Sequence, residues 1–183
     1  AVGAMEDKAL AGSTAVTEAV AKSLFKLMAI KDEYEVARLY TDGSFAKQVS
    51  REFETVGRLE FHLAPPILGR KGADGTPRKS SFGPWMMTGF RLLARLKGLR
   101  GTAFDLFGYT QERRFERQLL AQYEQDVERI TAALAAETIE AAEALASVPA
   151  LVRGYGHVRQ ASADRAADER ARLTKRLSQA QTA

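Results

Sequence analysis

Apolar side chains recur every three or four positions along much of the chain, which is the spacing of one face of an α-helix. A first helix is predicted from Thr14 onwards. Its apolar face consists of Val16, Val20, Leu24, Leu27 and Met28. Asp32 followed by Glu35 is typical of the capped start of a second, short helix, and Gly43 can end that helix in the left-handed conformation.

A third helix is predicted before Gly57, because Phe45, Val49 and Phe53 fall four positions apart. The period then changes. In the segment RLEFHLAPP, apolar side chains alternate with polar ones, which is typical of a half-buried strand. The two prolines that close the segment end the strand or place it at the edge of a sheet.

A single strand cannot pair its own backbone groups, so the following residues are predicted to supply a partner. Asp74-Gly75 has the composition of a turn, with Ile67-Leu68 and Ser81-Phe82 on its two arms. A small hairpin or a three-stranded sheet is therefore expected.

Two further helices are predicted after this hairpin. Gly83-Pro84 suits the N-cap and first position of a helix that ends at Gly98. After a loop, Thr110 can cap a long helix, which the alanine-rich sequence extends to Pro149. The apolar stripe of this long helix is formed by Phe115, Leu119, Tyr123, Val127, Ile130 and Leu134.

The last segment is helical but thinly apolar, with Val158, Leu173 and Leu177 as its main anchors. Residues 1–13 are small and polar and are predicted to be frayed. Residues 14–183 are predicted to form a single domain of the mainly α class. We expect a helical bundle with long C-terminal helices and a small β hairpin or short sheet.

The composition excludes several kinds of site. The 183-residue chain contains no cysteine, which excludes disulfides, thiolate zinc sites, a cysteine nucleophile and cysteine-ligated iron–sulfur clusters within it. Its two histidines, His62 and His157, are far apart and in no metal-binding spacing. No apolar run approaches the roughly 20 residues that cross a bilayer, and no cleavable leader is recognisable, so we expect a cytoplasmic protein without a membrane partner.

Positive charge is concentrated in the middle of the chain. From Arg70 to Arg117 there are eleven Lys and Arg but only four Asp and Glu, whereas the whole chain has a formal net charge of +4. Such a stretch favours phosphates, nucleic acid or an acidic protein as partner, and a solvated surface has the same composition. The candidate docking or anion-binding residues are Arg70, Lys71, Arg78, Lys79, Arg91, Arg95, Arg113, Arg114, His62 and Tyr109.

The segment FDLFGYTQERR, from Phe104 to Arg114, places three aromatic residues before a pair of arginines at a helix start. In nucleic-acid binders, aromatics interleaved with Arg stack bases and hold phosphates. A simpler interpretation, which we favour, has Phe104 and Phe107 closing the end of the bundle while the arginines face water or bridge to Glu112 and Glu116.

The chain closely resembles the C-terminal region of the fused, single-chain indolepyruvate ferredoxin oxidoreductases of bacteria. The resemblance covers roughly Ala15 to Leu177. It lies in five strings that follow the family's order, namely VAKSLFKLMAIKDEYEVARLYTDGSF, FHLAPPILGR, FGPWM, FRLLARLKGLRGTAFDLFGYTQERRFER and VRGYGHV. These enzymes are similar to the 2-oxoacid:ferredoxin oxidoreductases, which use thiamine diphosphate and iron–sulfur clusters. They convert an arylpyruvate and coenzyme A into aryl-acetyl-CoA, release carbon dioxide and reduce an electron acceptor.

The resemblance implies an accessory, cofactor-free domain of such an enzyme. The family's cluster ligands are cysteines, and its thiamine diphosphate motif combines GDG with a downstream Asn. This chain has neither cysteine nor asparagine, so both cofactors are implied for the parent enzyme and no catalytic residue is transferred to this chain. By itself the chain is not expected to be catalytic.

The partners that the resemblance implies are the catalytic domains of the same polypeptide, in a parent enzyme that is expected to be a homo-oligomer. Ferredoxin and the phosphates of coenzyme A are the candidate binding partners of the basic stretch. The alternative is an independent module that binds anions or nucleic acid through residues 70–117.

Overall fold

The fold is mainly α with a minor β element, as the periodicity predicts. A computed structural model describes residues 1–30, 32–55, 57–64, 70–71, 77–154 and 156–181, with the backbone alone at Arg70, Lys71, Pro77 and His157. Its α-helices are α1 (Val2–Ala9), α2 (Ala15–Met28), α3 (Glu33–Thr41), α4 (Ser44–Glu52), α5 (Met86–Arg95), α6 (Gln111–Ala133), α7 (Ile139–Ala146) and α8 (Gly156–Ala180). Its strands are β1 (Phe61–Leu63), β2 (Arg70–Lys71), β3 (Pro77–Arg78) and β4 (Ser80–Phe82). None of the described helices is long and apolar enough to span a bilayer.

The chain folds as two units where the sequence predicts a single domain over 14–183. The terminal unit consists of Ala1–Ile30 and Phe115–Ala183, and the middle unit consists of Lys31–Arg114. Each has its own apolar core. The charge is divided unevenly between them. The middle unit has fifteen Lys and Arg against ten Asp and Glu, a net charge of +5, whereas the terminal unit has twelve against thirteen.

The terminal unit is built around the apolar faces of α2, α6, α7 and α8. Val16, Ile130 and Leu145 are fully buried at its centre. Leu173 and Leu177 anchor α8 as predicted, but Val158 is half-exposed, and so is not one of the anchors. Met28, which the spacing assigns to the inner face of α2, is likewise exposed.

Residues 2–9 form a helix where the sequence predicts a frayed segment. Glu6 is fully buried, and its carboxylate accepts hydrogen bonds from Ser13 Oγ at 2.7 Å, Val16 N at 2.9 Å, and Thr17 N and Oγ1 at 2.8 and 2.6 Å. Burial alone would raise the pKa of this carboxyl, but the hydrogen bonds outweigh it and lower the pKa to about 2. Glu6 therefore satisfies the free N–H groups at the start of α2 and fixes α1 to it.

The long helix after Thr110 starts as predicted and ends earlier than predicted. Thr110 Oγ1 accepts a hydrogen bond from Arg113 N at 3.3 Å, which is a side-chain cap. The predicted continuation to Pro149 is wrong, because the backbone is extended at Ala135 and α7 starts anew at Ile139. The break is held by buried Thr138, whose hydroxyl donates to Ala133 O at 2.6 Å and accepts from Ala135 N at 2.9 Å.

The core of the middle unit is aromatic. Tyr40 from α3 stacks on Phe90 from α5, with ring centroids 4.9 Å apart, and Phe61 from β1 meets both rings edge-on. At the start of α3, Asp32 accepts a hydrogen bond from Glu35 N at 2.7 Å, which confirms the predicted cap. Gly43 has the predicted left-handed conformation, with φ of 89°.

The predicted strand is β1, with Phe61 buried and His62 exposed. It pairs antiparallel with β4, so that Phe61 lies opposite Phe82, while β2 pairs with β3 in a second two-stranded sheet. The predicted turn at Asp74-Gly75 and the arm at Ile67-Leu68 lie outside the described residues.

Candidate functional site

The loop between α5 and α6 is organised around a buried carboxylate. We call residues 100–110 the anchor loop. Asp105 is buried, and it accepts hydrogen bonds from Gly101 N at 2.9 Å, Gly108 N at 3.1 Å and the Tyr34 hydroxyl at 3.2 Å. Burial on its own would raise the pKa of this carboxyl, but these hydrogen bonds outweigh it, so the pKa lies below its ordinary value. Asp105 thus stays ionised and closes the loop around itself.

The glycine at position 108 is required by this arrangement. A Cβ atom placed there would lie 2.8 Å from Asp105 Oδ2 and 3.0 Å from Asp105 Cγ. Both distances are shorter than van der Waals contact, and Gly108 N is itself one of the donors to the carboxylate. A side chain at this position would push the carboxylate away from its partners.

The anchor loop is attached to the first turn of α3. At its first residue, Arg100 Nη2 donates to Asp32 Oδ1 at 2.8 Å; three residues beyond its end, Arg113 Nη2 donates to Glu33 Oε2 at 3.2 Å. In the middle, the ring of Phe107 meets the ring of Tyr34 edge-on at 5.4 Å. Both ends and the centre of the loop are therefore fixed to one structural element.

These contacts correct the interpretation of the segment FDLFGYTQERR. Phe107 packs inside the middle unit, but Phe104 is 74% exposed and does not close the end of a bundle. Arg113 pairs with Glu33 rather than with Glu112 or Glu116. Glu116 is buried and forms its ion pair with Arg159 from α8, within the terminal unit.

Three large side chains of the anchor loop point into solvent. Phe104, Leu106 and Tyr109 are 74%, 70% and 57% exposed, and we call them the loop patch. Tyr109 is further fixed by its hydroxyl, which donates to Ala103 O at 3.1 Å. The sequence predicts Tyr109 as a candidate, assigns Phe104 wrongly to the end of a bundle, and gives no indication of Leu106. Apolar side chains that are exposed to solvent on a fixed backbone are typical of a protein interface.

Basic residues flank the anchor loop in sequence. Arg95 and Lys97 precede it and Arg114 follows it; all three are exposed and make no ion pair with any residue that the structure describes. Arg100 and Arg113, by contrast, are engaged with α3. The loop patch is therefore bordered along the chain by cations that are open to a partner.

The remaining candidates lie on α5 and on the small sheets. Arg91 is exposed one turn before Arg95 on α5, and Arg78 and Lys79 are exposed at the end of β3. His62 is exposed on β1, where its Nδ1 lies 2.9 Å from Ser81 Oγ on the paired strand β4. For Arg70 and Lys71 the structure describes the backbone in β2 but not the side chains.

The sequence reasoning missed Asp105, Tyr34 and Leu106. One signal was present: an Asp with a glycine four residues before it and another three residues after it is typical of a turn that folds around its own side chain. Tyr34 had no comparable signal, because its role depends on a contact across 71 positions of sequence.

The sequence profile described as a family of unknown function, DUF6537, matches residues 1–172. The chain belongs to this family. No curated protein and no solved structure matches the chain. The matched range includes the whole anchor loop and all but the last turns of α8. Since the description of the family assigns no function, the resemblance to the indolepyruvate ferredoxin oxidoreductases stays a prediction.

The terminal unit contains a small cavity beside a buried ion pair. Asp126 accepts hydrogen bonds from Arg170 Nε and Nη2 at 2.5 and 2.6 Å, and both residues line a cavity of about 40 Å³. That volume is enough for a water molecule but not for a metabolite. Within the described ranges, no group of three or more His, Asp or Glu is arranged to hold a metal ion.

Proposed function

We propose that this chain is a cofactor-free accessory domain of an indolepyruvate ferredoxin oxidoreductase and that its role is to bind another protein surface. The observation that carries the proposal is the loop patch: Phe104, Leu106 and Tyr109 are exposed on a loop that is fixed by Asp105. The parent enzyme decarboxylates arylpyruvates oxidatively with coenzyme A, forms aryl-acetyl-CoA and reduces ferredoxin. Its thiamine diphosphate and iron–sulfur clusters would lie outside this chain.

The resemblance and the geometry both point to the same region of the chain, the anchor loop and its attachment to α3. The longest resembling string, FRLLARLKGLRGTAFDLFGYTQERRFER, contains the entire anchor loop. The next longest contains Asp32, Glu33 and Tyr34, to which the loop is attached. Both sides of the attachment thus belong to the sequence that resembles the enzyme family. The partners that follow are the catalytic domains of the same polypeptide, with ferredoxin or the phosphates of coenzyme A as further candidates for the basic residues.

An add-back experiment tests this proposal. The parent enzyme is expressed without this chain, the chain is titrated into it, and complex formation is followed together with indolepyruvate-dependent reduction of ferredoxin. We expect the chain to bind and to restore assembly or turnover. If it does not bind, and the enzyme without it assembles and turns over with unchanged substrate and acceptor kinetics, the proposal is wrong.

A second candidate function is an independent module that binds nucleic acid or another anion. The net charge of +5 on the middle unit and the exposed Arg78, Lys79, Arg91 and Arg95 favour it. A salt-dependent gel shift of RNA or DNA at micromolar protein would support this function, because phosphate contacts release counterions. The absence of any shift at low salt would exclude it.

A further inference from the structure

We propose that the loop patch and the basic residues beside it form a permanent interface with an acidic surface on the catalytic domains of the same enzyme. This inference rests on the proposed function, and it names the surface of this chain, the chemistry of the partner and the lifetime of the contact.

The anchor loop is preorganised. The anchor loop is closed around Asp105 and attached to α3 at Asp32, Glu33 and Tyr34. Ordering a loop on association costs free energy, and a loop that is already fixed avoids that cost. Exposed residues on such a loop are therefore able to act as interface anchors, with Phe104 and Leu106 at the centre of the contact.

The charges beside the loop patch favour an acidic partner. Two carboxylates near the loop patch are used internally, since Asp105 is buried and Glu33 is paired with Arg113. A third, Glu112, is exposed, but three cations are exposed against it. The cations Arg95, Lys97 and Arg114 remain exposed. A partner surface that covers the loop patch meets these cations at its rim, where acidic side chains complement them.

The composition of the loop patch favours a protein partner over a nucleic acid. Leu106, one of the two most exposed members of the loop patch, has no flat face on which a base could stack. Arg100 and Arg113, the arginines closest to the aromatic residues in sequence, are engaged with α3 instead of being presented to phosphates. An apolar centre with a charged rim is the arrangement of protein interfaces.

The apolar surface of the loop patch favours a permanent neighbour. Interfaces that persist are more apolar than transient ones, because a surface that is never exposed in the assembled protein has no need to be soluble on its own. Phe104 and Leu106 expose most of their surface in this chain, and a neighbour that stays in place would keep both covered. A docking ferredoxin would leave them exposed for much of the time.

Chemical cross-linking of the full-length enzyme tests the identity of the neighbour. A carbodiimide joins an amine directly to a carboxylate that it contacts, so Lys97 is the probe, and mass spectrometry identifies its partner. We expect a cross-link from Lys97 to an Asp or Glu of the catalytic domains, lost in Lys97→Ala. A cross-link that forms only with added ferredoxin, or none from Lys97 while other lysines react, would overturn the inference.

Substitutions in the loop patch test its contribution. The double variant Phe104→Ala, Leu106→Ala is compared with Phe53→Ala, which removes a side chain of similar exposure, 58%, elsewhere in the middle unit. In the isolated chain both variants should unfold at the wild-type temperature, since the removed groups are exposed. In the full-length enzyme, we expect limited proteolysis to cleave this domain about tenfold faster in the double variant than in wild type, because the variant lacks its interface anchors. Phe53→Ala should be cleaved at the wild-type rate.

Charge reversal supplies an independent readout. Arg95→Glu with Arg114→Glu should accelerate proteolysis in the same assay, whereas Lys47→Glu, an exposed site on α4, should not.

If the wild-type chain binds the rest of the enzyme but neither loop-patch nor charge variants differ from their controls, this inference fails and the proposed function stands. If the wild-type chain does not bind at all, both fail. A gel shift of RNA that the double variant abolishes would assign the loop patch to nucleic acid instead.

Discussion

The hydroxyl of Tyr34 donates a hydrogen bond to the carboxylate of Asp105 at 3.2 Å, and this contact joins the start of α3 to the centre of the anchor loop. The same carboxylate holds Gly101 and Gly108. One side chain thus determines both the internal shape of the loop and its attachment to the middle unit.

The two partners of this hydrogen bond should contribute unequally to stability. Tyr34→Phe removes one hydrogen bond and keeps the ring contact with Phe107, so we expect a loss of about 1 kcal/mol in the free energy of unfolding. Asp105→Ala removes the carboxylate that accepts from Gly101 N and from the Tyr34 hydroxyl, while Gly108 N keeps its bond to the backbone oxygen of residue 105, and the change should cost about 3 kcal/mol. Urea denaturation measures both. Tyr109→Phe is the matched control, because its hydroxyl bond is exposed and its loss should be nearly neutral.

A methyl group at position 108 should disrupt the anchor loop. In Gly108→Ala the new Cβ would lie 2.8 Å from Asp105 Oδ2, so the carboxylate must leave its hydrogen-bond partners. We expect a destabilisation of about 1–3 kcal/mol, the usual range for overpacking, measured by thermal unfolding. Gly98→Ala is the control, since its Cβ meets no atom within 4 Å. Equal stability of the two variants would contradict the described geometry.

Stability should fall in acid because of Glu6. Its pKa is about 2 in the folded chain against an ordinary value of 4.5, so the folded state favours the ionised carboxylate. The stabilisation is complete above pH 4.5 and is lost as the pH falls towards 2. Glu6→Gln should be less stable than wild type at neutral pH, and its free energy of unfolding should depend less on pH across this window. Parallel pH profiles for the two proteins would contradict the assignment.

Thr138 should be needed for the break between α6 and α7. Thr138→Val keeps the shape of the side chain but removes the hydroxyl that bonds to Ala133 O and Ala135 N. We expect a loss of about 2 kcal/mol, because both bonds belong to a buried residue. Thr131→Val is the control, since its hydroxyl only adds a second donor to a carbonyl, Val127 O, on the preceding turn of α6. Chemical denaturation followed by circular dichroism would distinguish them.

The local features of the fold were readable from the sequence. The caps at Asp32 and Thr110 form where predicted, because a cap depends on residues only three positions apart. The alternation around Phe61 identified β1 for a similar reason: side chains of a strand alternate between its faces whatever the partner strand is.

The site was only partly readable. Arg95, Arg113, Arg114 and Tyr109 were named from composition, but composition does not distinguish a cation engaged in an ion pair from one that faces solvent. Arg113 is engaged with Glu33, 80 positions away, while Arg114 beside it is exposed. Phe104 and Phe107 have opposite environments for the same reason, since only Phe107 meets the ring of Tyr34.

The sequence by itself determined the helical class, the strand at Phe61 and the capped starts of α3 and α6, because each depends on spacing within a few residues. Tertiary structure decided which side chains are buried. Glu6 is ionised inside the terminal unit because the start of α2 supplies its donors. The loop patch is exposed because Asp105 and Tyr34 hold the backbone beneath it. Both outcomes rest on contacts between residues ten or more positions apart, and no local pattern records such contacts.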